Sequence, residues 1–385
     1  MLLFNLYSWK MPEVWLGYGD TEVILDIKYE NILDNVKPQF PLLNTESLNL
    51  ELANKIKLKN SNLIIIFTPF LQMIPILKYI YQENKKQNTS SLEFNTTSKY
   101  IPFKIKRILN DNGIYIDKIE NHEILNKIKN SDKTIILEKV EVDPFFGYKG
   151  PVTELIRSCF SNEMDIAFSS IIGKLPQPGQ INEALKISME KSRAINLEVI
   201  NVIANNDGIN SIYIGEMEES FKKTIEKFDS ILKREVDKSK SAFITGNSNF
   251  DIQATLNNSL NLLWNNYNAV KENGILILLS ENKNGLGNGA LLQFIEGRLN
   301  QSDLKKNQYI KDLEHINFLN TIRDKFNIYI ISSIPKVYIY KLGLKSIPRI
   351  KDGLETILLE HGKRSKILII SNSELTKIIQ KQSSI

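Results

Sequence analysis

The run Ile275-Leu-Ile-Leu-Leu-Ser280 is followed by Glu281-Asn-Lys-Asn-Gly-Leu-Gly-Asn-Gly289 and then by Ala290-Leu-Leu-Gln-Phe-Ile-Glu-Gly-Arg-Leu299. Consecutive Ile and Leu leave no polar face, so the first piece reads as a strand buried on both sides. The glycines of the second piece permit a sharp turn, and the third has the spacing of a short helix. Strand, glycine-rich turn and helix, in that order, form the repeating unit of a parallel α/β sheet.

The alternation continues in both directions. Upstream lie a strand at 242–246 and a helix at 255–271; downstream lie a helix at 310–326, a strand at 328–332, a helix at 354–361 and a strand at 367–370. Residues 241–385 are therefore expected to form a small α/β domain. The charged stretch 233–240, at the end of a helix read over 218–236, marks the boundary. Within 1–240, strands are expected at 21–27, 63–67, 134–138, 198–204 and 211–215, and helices at 72–82 and 182–194. Pro75 falls in the first turn of its helix, where no backbone hydrogen bond is lost. The Lys-, Asn-, Ser- and Thr-rich segment 84–99 reads as a surface loop. Residues 1–15 read as the first strand, because no basic segment precedes their apolar run and no small-residue cleavage site follows it. The expected fold is two α/β domains with largely parallel sheets flanking a cleft.

Composition bounds the function classes. Of the 385 residues, 42% are hydrophobic and 24% charged, which excludes disordered and collagen-like chains. The net charge of +5 is too dilute along the chain to point to nucleic acid. Cys159 is the single cysteine, so no internal disulfide or cysteine-based metal cluster forms, and a reducing cytoplasm is expected. No apolar run approaches the ~18 residues of a membrane helix, so no membrane partner is expected.

Two segments carry polar groups in positions suited to a ligand. The turn holding Asn284, Gly285, Gly287 and Asn288 opens toward a helix start, where backbone N–H groups favour an anion. It lacks the Lys-Ser/Thr of a P-loop, and a structural turn with Asn288 as helix cap is the competing reading. The segment Val142-Asp-Pro-Phe-Phe-Gly-Tyr-Lys-Gly-Pro151 is expected to follow an irregular path anchored by Phe145, Phe146 and Tyr148. Asp143 and Lys149 are its polar groups, either as a ligand-facing pair or as a solvated salt bridge. His122 reads as a cap or surface residue, His315 as solvated, and His361 as the cationic end of a helix stopped by Gly362. Cys159 reads as a small buried residue, and Asp207-Gly208 as a hairpin turn. No metal ligand set or catalytic triad appears.

Taken in order along the chain, these segments resemble the nickel-pincer lactate racemase family. Leu16-Gly-Tyr-Gly-Asp-Thr-Glu-Val-Ile-Leu-Asp-Ile27 resembles its opening strand, Asn121-His-Glu123 its Asn-His-Asp turn, and Asn206-Asp-Gly-Ile209 with Gly215 its hairpin. Gly274 to Glu281 with Gly285-Leu-Gly287, Ile331-Ser-Ser-Ile-Pro335, and Glu360-His-Gly-Lys363 with Lys366-Ile-Leu-Ile-Ile370 close the match. The resemblance implies proton and hydride shuttling at the α-carbon of a 2-hydroxy acid, carried by a nickel-pincer nucleotide bound to lysine. Its functional positions are replaced. The family's catalytic histidine aligns with Asp143 and its cofactor-anchoring lysine with Thr153. Its nickel-ligating histidine aligns near Ser169 or Ser170, and no histidine precedes His122 to serve as second base. Leu63 to Phe67 stand where the family has its Asp-x-Thr-Arg turn, and the Pro-Lys-Asp motif becomes Asn249-Phe250-Asp251.

The expectation is a catalytically degenerate lactate racemase-like protein without a cofactor. It would keep a cleft for a small anion, a 2-hydroxy acid or a nucleotide-type ligand. Lys149, Thr153, Asn284, Gly285, Gly287 and Asn288 are its candidate binding residues, and Asp143 its candidate catalytic residue; no metal site is expected. The alternative is an active 2-hydroxy acid racemase or epimerase with a rearranged site, which would need the nickel-pincer nucleotide. A third reading is an unrelated α/β enzyme that binds a phosphorylated ligand at the glycine-rich turn.

Overall fold

The computed structural model describes residues 13–87, 91–195, 197–247, 253–300 and 308–381. The chain divides into two compact units. One comprises Gln39–Leu232 with Gln301–Glu314, the other Met1–Pro38, Lys233–Asn300 and His315–Ile385.

The first unit holds a six-stranded sheet in the spatial order Ile209–Glu216, Glu198–Ala204, Lys133–Lys139, Ser61–Ile66, Ser91–Thr96, Asp117–Lys118. All pairings are parallel except the hairpin of Glu198–Ala204 with Ile209–Glu216. Asp207 and Gly208 make its turn, their N–H groups donating to Asn205 Oδ1 at 3.0 and 3.1 Å. Ile64, Ile66, Ile135, Leu137, Ile200 and Val202 form one sheet face, and Met73, Ile76, Leu77 and Ile80 of the helix Met73–Lys86 pack in the same core. From Ser61–Ile66 the chain winds outward through two strands, then returns to the other side of its starting strand at Lys133–Lys139. That reversal is a topological switch point.

The second unit repeats the plan with six parallel strands ordered Lys345–Ser346, Asn327–Ile331, Val270–Leu279, Ser239–Thr245, Ile367–Ile370, Ile32–Val36. Its switch point lies between Ser239–Thr245 and Ile367–Ile370. Residues 32–36 supply an edge strand, pairing Asp34 with Leu368 and Val36 with Ile370. A single cut at 240 therefore does not describe the units: Ile32–Val36 joins the later part of the chain through strand pairing, and residues 308–314 join the earlier part.

Several element boundaries differ from the sequence reading for local reasons. The segment 84–99 includes the strand Ser91–Thr96, whose last three residues are buried although two are polar. The helix expected to reach 236 stops at Leu232, and Lys233–Val236 becomes a strand beside Lys377–Gln380. The helix expected over 290–299 ends at Ile295, with Gly297 at φ 76° just beyond. Helices Pro151–Cys159 and Ser161–Ile171 follow the Phe-rich hairpin. The opening strand is Glu13–Tyr18; residues 1–12 and the 248–252 part of the Pro-Lys-Asp-like segment lie outside the described residues. No helix of the described residues is long and apolar enough to cross a membrane.

Candidate functional site

At the switch point of the first unit, Phe67 and Thr68 leave the strand Ser61–Ile66, and Glu138 is the penultimate residue of its neighbour Lys133–Lys139. Glu138 Oε1 accepts from the Thr68 N–H at 2.8 Å and also from the Phe67 N–H. The side chain is 1% exposed, and its Oε2 is buried without a hydrogen-bond partner. Burial pushes the Glu138 carboxyl up to about 8; Lys149 pulls it down, Glu154 raises it further, and the two backbone donors oppose that rise. At neutral pH the group is mostly protonated and holds an O–H to donate.

Lys149 reaches the same place from a hairpin. Its strand Gly147–Lys149 pairs with Glu141–Asp143, setting Lys149 opposite Glu141. Gly147 sits at φ 84°, and a Cβ there would lie 2.1 Å from the Gln180 carbonyl oxygen, so only glycine fits. Lys149 Nζ donates to Thr68 Oγ1 at 3.1 Å and lies 3.7 Å from Glu141. Desolvation works against its charge, but Glu154, Glu141 and Glu138 outweigh it and hold the ammonium well above its ordinary range. Although burial favours the neutral acid, Lys139 and Lys149 hold Glu141 below the usual carboxylate range.

Arg157, on the helix Pro151–Cys159, organises the groups behind. It contacts Asp143 at 2.8 Å, Glu314 at 3.1 Å and Glu154 at 3.5 Å, and donates to the Tyr309 hydroxyl at 2.8 Å. Its guanidinium lies 4.9 Å from the Phe146 ring centre and 5.3 Å from that of Phe145. Desolvation is overcome by Asp143, Tyr309, Glu314 and Glu154, which keep it charged.

The structure distributes the residues singled out in the sequence differently from the expectation. Asp143 and Lys149 are not a pair. Asp143 is 7% exposed, accepts from the N–H groups of Phe145 and Phe146 at 2.8 Å each, and is claimed by Arg157. Its carboxylate closes the turn, and Phe145, Phe146 and Tyr148 are buried as expected. Thr153 is fully buried; its hydroxyl accepts from the Gly150 N–H at 2.9 Å and donates to the Gly150 carbonyl at 3.0 Å. Ser169 and Ser170 donate back into their own helix, to the carbonyls of Asp165 and Ala167.

The glycine-rich turn belongs to the second unit. Its amides at Asn284 and Gly285 are bonded to the carbonyls of Ala254 and Asn282 at 2.8 Å each, so they are not offered to an anion. Gly287 is at φ 92°, and a Cβ on it would meet Asn257 Nδ2 at 2.7 Å. Asn288 is exposed and is not the cap; Gly289 holds that position, before a helix of six residues.

His122 is exposed, and His361 Nδ1 lies 2.8 Å from the Ser241 hydroxyl. His315 is buried, not solvated, because the helix Leu313–Ile322 is enclosed around it. Burial pushes the Cys159 thiol up to about 12, so it is not a thiolate near neutrality. Among the described residues no three His, Cys, Asp or Glu side chains form a metal-binding group.

The sequence reading passed over Glu138, Thr68 and Arg157. The available signal was Glu138 itself, an ionisable residue ending the apolar run Ile135-Ile136-Leu137.

Among solved structures, the lactate racemase apoprotein from Thermoanaerobacterium thermosaccharolyticum superposes with a TM-score of 0.77 at 14% identity, covering 96% of this chain and all of that one. The chain has the lactate racemase fold. A crystal structure of a protein from Thermotoga maritima shares it at a TM-score of 0.61 and 12% identity, over 90% of this chain and all of that one. No protein-family model and no curated protein matches the sequence. At these identities the likeness shows the fold, which does not by itself carry a function.

Proposed function

We propose that this lactate racemase-like chain does not run nickel-pincer chemistry and instead binds a small carboxylate of the 2-hydroxy acid type at Glu138, Lys149 and Thr68. The observation that carries the reading is the buried, protonated Glu138 with a free Oε2 beside an ammonium at the switch point. A neutral carboxyl, an ammonium and a hydroxyl are three groups able to donate to a carboxylate and its α-hydroxyl. Thr68 and Lys149 already meet at 3.1 Å, so the donors converge before any ligand arrives.

The residues aligned with the nickel-pincer positions do not fit that group. An anchor requires an amine, whereas the Thr153 hydroxyl caps its own helix, and Asp143 is committed to a turn and to Arg157.

Calorimetric titration with D- and L-lactate and related 2-hydroxy acids tests the reading. Binding is expected at pH 6.5, weakened at pH 9.5 where Glu138 ionises, and lost in Lys149→Met. Protein made alongside the cofactor pathway is expected to have the mass of the bare chain; added mass together with bound nickel would overturn the proposal.

The same carboxyl supports a second reading, an active racemase or epimerase with a rearranged site, because a pKa of about 8 suits a group that gives and takes protons near neutrality. That reading requires change in the optical rotation of a lactate sample, abolished by Glu138→Gln.

A further inference from the structure

The second unit contains a basic cavity at the opposite end of its sheet from the strand carboxyl ends. It has a volume of about 550 Å³, within the range of small-molecule sites. Lys238 and Lys240 enter it at the amino end of the strand Ser239–Thr245, and Lys363, Arg364 and Lys366 enter it from the loop before Ile367–Ile370. Among the described residues none of these five cations has an ion pair. One carboxylate, Asp237, lines the cavity with them. The two stretches were legible in the sequence separately, one as a charged boundary and one as a helix stop. Only the parallel pairing of Ser241 with Ile367 brings them together.

Cations following the helix Ile350–His361 complement its dipole, an effect confined to about one turn. That accounts for Lys363 and Arg364 but not for Lys238 and Lys240, which arrive on another element. The backbone beneath is fixed: buried Asn31 donates to the carbonyls of Lys363 and Ser365 at 2.9 Å each. Ser239 donates to the carbonyl of Lys366 at 2.9 Å, and Gly362 turns the chain at φ 89°. Like charges are thus held together on a preorganised rim, where they repel until an anion joins them.

We infer that this cavity binds the oligophosphate group of a small molecule. Leu33 is its apolar side chain, and the ring that lines it, His361, has its Nδ1 2.8 Å from the Ser241 hydroxyl; no Phe, Tyr or Trp is there to stack a base. Recognition rests on the phosphates, and whatever they are attached to contributes little. The concave form and the lack of Phe, Tyr or Trp in the lining favour a compact ligand over a nucleic-acid strand.

Calorimetry with inorganic tripolyphosphate, ATP, orthophosphate and a single-stranded RNA 30-mer tests this. Tripolyphosphate and ATP are expected to bind with similar affinity, orthophosphate much more weakly. Either double variant, Lys363→Ala with Arg364→Ala or Lys238→Ala with Lys240→Ala, should weaken tripolyphosphate by about tenfold or more. The exposed pair Lys57→Ala with Lys59→Ala removes the same charge elsewhere and should leave affinity unchanged. Equal weakening by that control pair, no tripolyphosphate binding at 100 mM salt, or RNA binding that tripolyphosphate does not displace would each overturn the inference. Because the cavity and the Glu138 site lie on different units, neither result decides the other.

Discussion

At the switch point between Ser61–Ile66 and Lys133–Lys139 the groups that face one another are ionisable: buried Glu138 with half-buried Lys149 and Glu141 and, behind them, buried Asp143 with half-buried Arg157. At its counterpart between Ser239–Thr245 and Ile367–Ile370 they are hydroxyls and amides. Thr245 donates to the carbonyl of Gly17, and Gln253 accepts from the Gly19 N–H while donating to the carbonyl of Gly246. Asn265 and Asn266 both donate to the carbonyl of Ser373. Two sheets of the same winding thus finish their strands with different chemistry. Amides satisfy backbone carbonyls without a desolvated charge, so that end of the sheet serves cohesion. Buried charges are costly to desolvate and hold only as a network, and such groups concentrate where a protein handles ligands or protons.

The largest expected effect breaks the charged network at its centre. Arg157→Ala leaves Asp143, Glu154 and Glu314 facing one another without their cation, and should lower stability by about 3–5 kcal/mol. Urea unfolding at pH 7 measures it. A loss below about 1 kcal/mol would mean the carboxylates are adequately solvated without the arginine.

A somewhat smaller effect concerns pH. Glu138 keeps its proton up to about pH 8 in the folded chain, against an ordinary value of 4.5, so across that window folding takes up a proton. Stability is then fully present below pH 4.5 and is lost as pH rises through 8, with roughly 4 kcal/mol of that loss falling between pH 5 and pH 9. Glu138→Gln preserves the acceptor for Phe67 and Thr68 and removes the titration. Its unfolding free energy should fall less than that of the native chain between pH 5 and pH 9. Parallel curves for the two proteins would show that Glu138 titrates normally.

The smallest effect sharpens the contrast. Asn265→Ala deletes a donor to the carbonyls of Ser373 and Thr376 and should cost about 1–3 kcal/mol. Because no charge is involved, that loss should be the same at pH 5 and pH 9. A pH-dependent loss would erase the distinction between the two ends.

The continuous apolar runs were sufficient to place most parallel strands, since consecutive Ile and Leu, as around Ile277 or Ile65, leave no polar face and are buried on both sides. Ser91–Thr96 escaped because Asn95 and Thr96 are buried polar residues, and polarity in sequence is read as exposure. The site was less legible. Asp143 and Lys149 were noticed as neighbours on one loop, yet the hairpin register sets Lys149 opposite Glu141 and leaves Asp143 to Arg157. Thr153 stands at an aligned position whose role depends on whether its hydroxyl is free, and its two bonds to Gly150 are a fact of helix geometry alone.

The amino-acid sequence by itself determined the α/β class, the identity of most buried strands and the anchoring of the Phe145-Phe146-Tyr148 hairpin. These follow from local patterning, because hydrophobic period and turn residues act over a few positions. Tertiary structure alone decided that Ile32–Val36 completes the later sheet, that Glu138 meets Phe67 and Thr68, and that Lys238 and Lys240 share a cavity with Lys363, Arg364 and Lys366. Each of these joins residues far apart in the chain. Desolvation and Coulomb energy depend on distances through space, which parallel strand pairing sets and residue order does not encode locally.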